Sequence, residues 1–133
     1  MQIIVYVSPF NAVSRSLTNI IQGIGIQNKP EYHHTVDSLV VRLRQPMARF
    51  DSLLILCPSN GHELTQLTAI GHLLRDARVI VLLPDGENKT ISEGHMLRPR
   101  FVSYSDGDLN DVAAVVKKMA GSKSLAGTLQ ASA

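Results

Sequence analysis

Tryptophan is absent from this chain of 133 residues, cysteine occurs once, and aromatic residues make up only 5%. A single cysteine excludes a disulfide bond within the chain, and no Cys and His residues have the spacing of a zinc finger. Because aromatic rings are so few, the core must be built mainly from aliphatic side chains. We therefore expect neither a disulfide-stabilised nor a zinc-stabilised scaffold.

Net charge and long apolar runs are also lacking. Thirteen Lys and Arg against eleven Asp and Glu leave a formal net charge of +2, which is too small to indicate a nucleic acid or a membrane surface as partner. No apolar run approaches the ~20 residues of a membrane span, and the N-terminus lacks the basic region and cleavage motif of a signal peptide. We expect a cytoplasmic protein without a membrane or nucleic-acid partner.

The composition that remains is that of a folded domain. Hydrophobic residues make up 44% of the chain and charged residues 18%, whereas disordered chains have fewer apolar and more charged groups. At ~100–150 residues per domain, the length predicts a single domain, which we place at residues 1–121. Residues 122–133 are small and mostly polar, and they are predicted to form a flexible C-terminal tail.

Apolar segments that end at a proline predict buried strands. Residues 2–8, 52–57 and 78–83 are nearly continuous apolar runs, each followed by Pro. Strands that are apolar on both sides belong to a sheet covered by helices on both faces. Two shorter and more polar segments, 31–34 and 100–105, are predicted as further strands, the second of them at an edge.

Helical patterns with apolar residues three or four positions apart lie between the strands. Their predicted caps or first residues are Asn11, Thr35, Asn60, Thr90 and Asp108. Asn60 with Glu63, and Thr90 with Glu93, have the spacing of a capping box. The third helix is predicted to run to Leu74, whereas Gly94 is expected to interrupt the fourth.

The predicted element order is βαβαβαβαβα, which gives a parallel sheet because crossovers between parallel strands are right-handed. Five strands in this length favour a flavodoxin-like (βα)5 three-layer sandwich with strand order 2-1-3-4-5. A Rossmann-like order competes with it. No Gly-x-Gly-x-x-Gly follows the first strand, where the residues are Ser8-Pro9-Phe10-Asn11, so we predict no dinucleotide cofactor.

In such a sheet, ligands bind beyond the carboxyl ends of the strands. The candidate crevice there consists of Ser8, Cys57, Ser59, Asn60, Asp85, Ser105 and Asp106. Lys89 is the only cationic residue of these loops, so an anion would find mainly backbone N–H groups and hydroxyls. Turn formation is favoured for the aspartates over acid–base chemistry.

Cys57 is the candidate nucleophile, because a helix N-terminus can lower the pKa of a thiol and Cys57 precedes a predicted helix. The loop that follows contains no Arg to bind a phosphate, so the role of a small buried residue is favoured. The histidines lack metal-ligand spacing: His33 and His34 are neighbours on a strand and point to opposite faces. We predict no metal site.

Three segments resemble the response-regulator receiver domain, and the resemblance covers about residues 1–121. Residues 51–56 (DSLLIL) are similar to the third strand of a receiver with its leading Asp, 78–82 (RVIVL) to the fourth strand, and 108–112 (DLNDV) to the start of the last helix. The resemblance implies two-component signalling, in which a receiver takes part in a phosphorelay.

The chemistry of a receiver does not carry over to this sequence. Ser8 and Pro9 stand where receivers have an acidic pair, and Leu56 or Cys57 stands where they have the phosphoacceptor Asp. Leu83 or Pro84 replaces the Ser or Thr, and Tyr104-Ser105 replaces the Lys. Since Mg²⁺ prefers carboxylate oxygens and a phosphoryl group needs charge neutralisation, a degenerate pseudo-receiver is expected.

The resulting hypothesis is a non-catalytic signalling domain that acts through protein–protein interaction, as a homodimer. The resemblance places the interaction face at Arg98, Arg100, Tyr104, Asp108 and Asp111. Two alternatives stay open. One is a small-ligand or nucleotide-binding flavodoxin-like module that uses the crevice, and the other is a thiol-dependent enzyme that uses Cys57.

Overall fold

The computed structural model describes residues 2–8, 13–23, 30–45, 52–74, 77–107 and 109–119. The predicted tail at 122–133, and with it the domain boundary at 121, lies outside the described residues, as do Asn11 and Asp108. Among the helices in the described ranges, none combines the length and the apolar character needed to cross a bilayer.

Five strands alternate with helices along the chain. The elements are β1 (Gln2–Val7), α1 (Val13–Gly23), β2 (Glu31–His33), α2 (Val36–Leu43), β3 (Ser52–Cys57), α3 (Gly61–Ala69), β4 (Arg78–Leu83), α4 (Asn88–Met96) and β5 (Phe101–Tyr104). A final helix, α5, covers 109–119. All neighbouring strands are parallel, in the order β2-β1-β3-β4-β5. The predicted flavodoxin-like α/β fold is confirmed, with β5 at an edge.

Alternate strand residues face two separate apolar clusters. On one face Tyr6 and Leu56 pack with side chains of α2, α3 and α4. On the other face Val7 and Cys57 pack with Leu17 of α1 and with side chains of α5. All six residues of β3 are buried, and full burial of one large aliphatic side chain stabilises the fold by roughly 1.5–3 kcal/mol. The sheet is thus the middle of three layers.

The start of α4 differs from the sequence prediction. The helix begins at Asn88, two positions before the predicted cap Thr90, and Thr90 lies inside it with 4% exposure. The carboxylate of Glu93 does not return to the first turn, because it accepts a hydrogen bond from the Thr65 hydroxyl of α3 at 2.9 Å. The predicted capping box is wrong because its polar side chains have partners in other parts of the fold.

Gly94 lies within α4 instead of interrupting it. A Cβ atom at this position would come within 2.6 Å of Leu83 Cδ2 in β4. The glycine therefore permits α4 to approach the sheet closely, which a helical pattern alone does not reveal.

The third helix is shorter than predicted. α3 ends at Ala69, and a 3₁₀ turn, Gly71–Leu73, carries the chain onward. Leu74 remains buried against the same cluster as Leu64 and Leu67. The α-helix ends just before Gly71, because glycine is a poor helix former. The apolar spacing nevertheless continues to Leu74.

Candidate functional site

The structure brings the predicted crevice residues to one edge of the sheet, beyond the carboxyl ends of the strands. Ser8 follows β1 and Cys57 ends the neighbouring strand β3. Both are buried, with 5% and 0% exposure. Ser59 and Asn60 follow β3 and are exposed. Asp85, Ser105 and Asp106 follow the next two strands, β4 and β5. We call this region the carboxyl edge.

Cys57 is not accessible to solvent, whereas a reactive thiol must be reached by its substrate or reagent. Its residue is fully buried, pairs in register with Val7 of β1, and packs in the cluster that includes Leu17 and Val112. A thiol reagent or substrate would have to displace this packing, so the geometry agrees with a structural role for the side chain.

Glu63 organises the carboxyl edge. The Tyr6 hydroxyl donates a 2.7 Å hydrogen bond to Glu63 Oε1, and the Ser59 hydroxyl donates to Oε2. The Ser59 backbone N–H also donates to Oε1, at 3.3 Å. The Glu63 backbone N–H donates to the Asn60 side chain at 2.9 Å, as the predicted capping box requires. Both carboxylate oxygens thus have protein donors.

Sequence reasoning assigned Glu63 only its capping role and did not consider Tyr6. The two residues are 57 positions apart, so no local pattern connects them. Burial raises the pKa of Tyr6, and the hydrogen bond to Glu63 raises it further. The phenol is therefore held in its protonated form as a donor to the carboxylate.

Asp85 forms the turn that leads into α4. Its Oδ1 accepts a 2.9 Å hydrogen bond from the backbone N–H of Glu87. Hydrogen bonds from Thr90 and from the Glu87 backbone hold the pKa of Asp85 below its usual value. The carboxylate is thus bonded to its own turn, which is the role that the sequence favoured for it.

A polar cluster connects β2 with its neighbours. Glu31 accepts hydrogen bonds from Gln2 Nε2 at 3.0 Å and from Arg42 Nε at 2.6 Å. The hydrogen bond from Arg42 is the main cause that lowers the pKa of Glu31. These contacts attach the three-residue strand β2 to β1 and α2.

The neighbouring histidines also bond to the protein. His33 Nδ1 is 2.6 Å from Ser38 Oγ, and His34 Nδ1 is 2.9 Å from the Val7 carbonyl oxygen. Within the described ranges, no group of three or more His, Cys, Asp or Glu side chains is placed to hold a metal ion. Through these contacts the two histidines attach the β2 region to α2 and to the end of β1.

The predicted interaction face contains four described residues. Arg98, Arg100 and Asp111 are exposed, Tyr104 has 38% exposure, and the fifth member, Asp108, lies outside the described residues. The Tyr104 ring lies beside the β4–α4 loop, where a Cβ at Gly86 would be 4.0 Å from its Cε1. The face therefore begins at the carboxyl edge and continues along β5.

Neither a protein-family model nor a curated protein matches the sequence. Among solved structures, the chain is similar to a protein from Burkholderia pseudomallei that is described as pilus assembly-related. The TM-score is 0.60 and the identity 15%, over 91% of this chain and 90% of that chain. At this identity the likeness shows the fold alone, a parallel five-stranded α/β sheet that is compatible with a receiver-like domain.

Proposed function

We propose that this chain is a non-catalytic receiver-like signalling domain that acts by binding another protein. The main support is the end of β3, where a receiver has its phosphoacceptor aspartate. This chain has Leu56 and Cys57 there, both with 0% exposure. Phosphoryl transfer needs an accessible acceptor oxygen and nearby positive charge or metal, and neither side chain supplies an oxygen.

The bonding of Glu63 adds support. Its carboxylate is the acidic group closest in sequence after β3, but Tyr6 and Ser59 already donate to both of its oxygens. A phosphoryl group or Mg²⁺ at Glu63 would have to displace these donors. The contacts hold the start of α3 against β1, so this edge serves as a fixed surface.

The surface proposed for protein binding, which is also the proposed dimer interface, includes Arg98, Arg100, Tyr104 and Asp111. In a two-fold dimer the same surface meets itself, so an exposed arginine of one copy can meet Asp111 or Asp106 of the other. Such exposed pairs contribute roughly 0–1 kcal/mol each. The partly exposed ring of Tyr104 must therefore supply much of the affinity, since aromatic residues are enriched at interface centres.

The description of the similar structure indicates which class of partner to test first. Since the Burkholderia pseudomallei protein is described as pilus assembly-related, we propose that this chain serves such an assembly by docking to one of its proteins. The shared architecture motivates this choice.

Incubation with acetyl phosphate and Mg²⁺, followed by intact-mass spectrometry, tests the non-catalytic part of the proposal. We expect the mass to stay unchanged, while a receiver that retains its acceptor Asp gains a phosphoryl group under the same conditions. A stable phosphoryl group on any Asp or Glu of this chain would overturn the proposal.

Light scattering over a range of concentrations tests the proposed face. We expect a dimer that dissociates in Tyr104→Asp and in Arg100→Glu. The control is Arg44→Glu, because Arg44 is also exposed but lies at the end of α2. A monomer at every concentration, or a dimer that neither variant weakens, would show that this face is not the dimer interface.

A further inference from the structure

A separate concave site lies at the opposite edge of the sheet, where β4 and β5 begin. It has a volume of about 550 Å³, between the 3₁₀ turn after α3 and the C-terminal end of α4. Cavities that bind small molecules typically measure ~300–1,000 Å³. We call it the amino-edge cavity, and none of the crevice residues line it.

Apolar residues form part of the lining of the amino-edge cavity. Leu74 and Leu97 line it and belong to the cluster beneath α3 and α4, with 2% and 6% exposure. Met96 also lines it and is 68% exposed. A flexible thioether side chain adapts to apolar groups of different shapes. Since the two leucines are almost fully covered, an apolar ligand group would gain mainly by removing Met96 from water.

Among the described residues, the polar side chains that line the cavity are His72 and Arg98, and both are exposed. None of the described lining residues is acidic. The C-terminal end of α4 contributes a partial negative charge of its own, so the backbone does not attract an anion here. Among the lining residues that the structure describes, attraction for an anion comes from these two side chains, above all from the permanently charged Arg98.

The backbone at Arg98 gives an independent reason to single out this residue. It has a φ of +53° and follows Leu97, the C-cap of α4. Glycine usually occupies this position because a left-handed backbone strains an L-residue. The chain makes the turn with an arginine, and this exposed residue is one of those that line the cavity. Strained residues of this kind cluster at functional sites.

We propose that the amino-edge cavity binds a small amphipathic anion, an apolar ring or short chain that carries one carboxylate. The apolar part packs on Leu74, Leu97 and Met96, and the carboxylate accepts hydrogen bonds from Arg98, with His72 beside it. This site lies away from the carboxyl edge, and it shares Arg98 with the surface proposed for protein binding.

Three naphthalene derivatives of nearly equal size test the charge requirement: naphthalene-1-carboxylate, naphthalene-1-carboxamide and 1-naphthylmethylammonium. Each is titrated into ¹⁵N-labelled protein and followed by two-dimensional NMR. We expect the carboxylate to shift the amide signals of Gly71, His72 and Leu97, with binding on the order of tenfold tighter than the carboxamide. We expect the ammonium compound to bind more weakly still.

Variants locate the anion contact. Arg98→Gln is expected to weaken carboxylate binding on the order of tenfold, and Arg98→Gly to do the same while relieving the backbone, so that a folding defect cannot explain the loss. Gly71→Leu should block the cavity, since a Cβ there has room, at 3.9 Å from Leu97 Cδ2. The control Arg44→Gln removes an exposed arginine at the end of α2 that neither lines the cavity nor belongs to the proposed protein-binding face, and it should leave affinity unchanged.

Several results would overturn the proposal. Equal affinity for the three compounds would show that charge plays no part. Signals that shift mainly outside the cavity, or no shift at about 10 mM carboxylate, would show that the cavity is not the site. An equal loss in Arg98→Gln and Arg44→Gln would show a general charge effect.

Discussion

The two edges of the sheet use their polar side chains differently. At the carboxyl edge, Glu63 accepts hydrogen bonds from Tyr6 and Ser59, and Asp85 accepts hydrogen bonds within its own turn. At the amino edge, Arg98 stands exposed on a left-handed backbone beside a cavity of about 550 Å³. The general rule for parallel sheets places ligands at the carboxyl edge.

The difference shows why the position of a polar residue does not by itself identify a binding site. A carboxylate at the start of a helix that accepts a hydrogen bond from a buried phenol stabilises the fold. A ligand could bind to it only after these hydrogen bonds break. A guanidinium beside an apolar cavity offers a ligand both contact area and charge. Substitutions on either side of the molecule can test this contrast.

The largest effect is expected for Gly94→Ala in α4, the helix that connects the two edges. A Cβ would lie 2.6 Å from Leu83 Cδ2, and overpacking a core typically costs about 1–3 kcal/mol. Alanine regains up to ~1 kcal/mol of helix propensity. We expect the free energy of unfolding, measured in urea, to fall by about 1–2 kcal/mol.

Gly23→Ala is the matched control, because a Cβ at the end of α1 would meet no atom within 4 Å. It should leave stability unchanged or raise it slightly. In a Leu83→Ala background the cost of Gly94→Ala should shrink, since the opposing Cδ atoms are gone. Equal stability of Gly94→Ala and the unmodified chain would refute the close packing of α4 on the sheet.

Tyr6→Phe should have the next largest effect, by removing a donor from Glu63. We expect a loss of about 1 kcal/mol in urea unfolding at pH 7. Burial and Glu63 raise the pKa of Tyr6 in the folded state. This contribution is therefore complete below the unfolded value of ~10 and declines at higher pH, where the unfolded phenol ionises.

The unmodified chain should accordingly lose stability above pH 10 more steeply than Tyr6→Phe. Tyr104→Phe is the control, since Tyr104 has 38% exposure and a surface change of this kind typically alters stability by less than about 0.5 kcal/mol. Parallel pH profiles for Tyr6→Phe and the unmodified chain would show that the phenol does not hold the carboxyl edge.

Arg98→Gly should raise stability, in contrast to the changes above. A left-handed backbone costs an L-residue about 1–2 kcal/mol, and the extra freedom of glycine in the unfolded chain offsets about 0.4–1 kcal/mol of this gain. We expect a net increase of about 0.5–1 kcal/mol by thermal or urea unfolding. Arg100→Gly, at a position without positive φ, should give no gain. A loss in Arg98→Gly would mean that the arginine stabilises the fold.

The smallest effect is expected for the pair Glu31 and Arg42, which lies away from the crevice residues of the carboxyl edge and from the amino-edge cavity. Partly exposed pairs contribute about 0–1 kcal/mol, which a double-mutant cycle with Glu31→Gln and Arg42→Gln measures. Arg42 lowers the pKa of Glu31 in the folded state. The coupling is therefore present above the unfolded value of ~4.3 and should weaken as the pH falls below that value, through the lowered pKa of Glu31. A coupling that does not change with pH in the acid range would contradict an ionic interaction.

The sequence by itself determined the elements whose information is local. The apolar runs at 52–57 and 78–83 became strands β3 and β4 with the predicted limits, because residues buried on both faces must be continuously apolar. Asn60 caps α3 as predicted, because a cap and its N–H partner are three residues apart. The parallel sheet follows from the alternation of strands and helices. The chain length favoured the observed strand order over a Rossmann-like order but did not exclude the latter.

Only the tertiary structure decided how distant residues meet. Tyr6 reaches Glu63 across 57 positions, Gly94 permits α4 to lie against Leu83, and Thr90 bonds back to Asp85. The amino-edge cavity is lined by residues from the turn after α3 and from the end of α4, which are more than 20 positions apart in the sequence. These features depend on where helices rest on the sheet, and that position results from packing among many side chains, which no local pattern encodes.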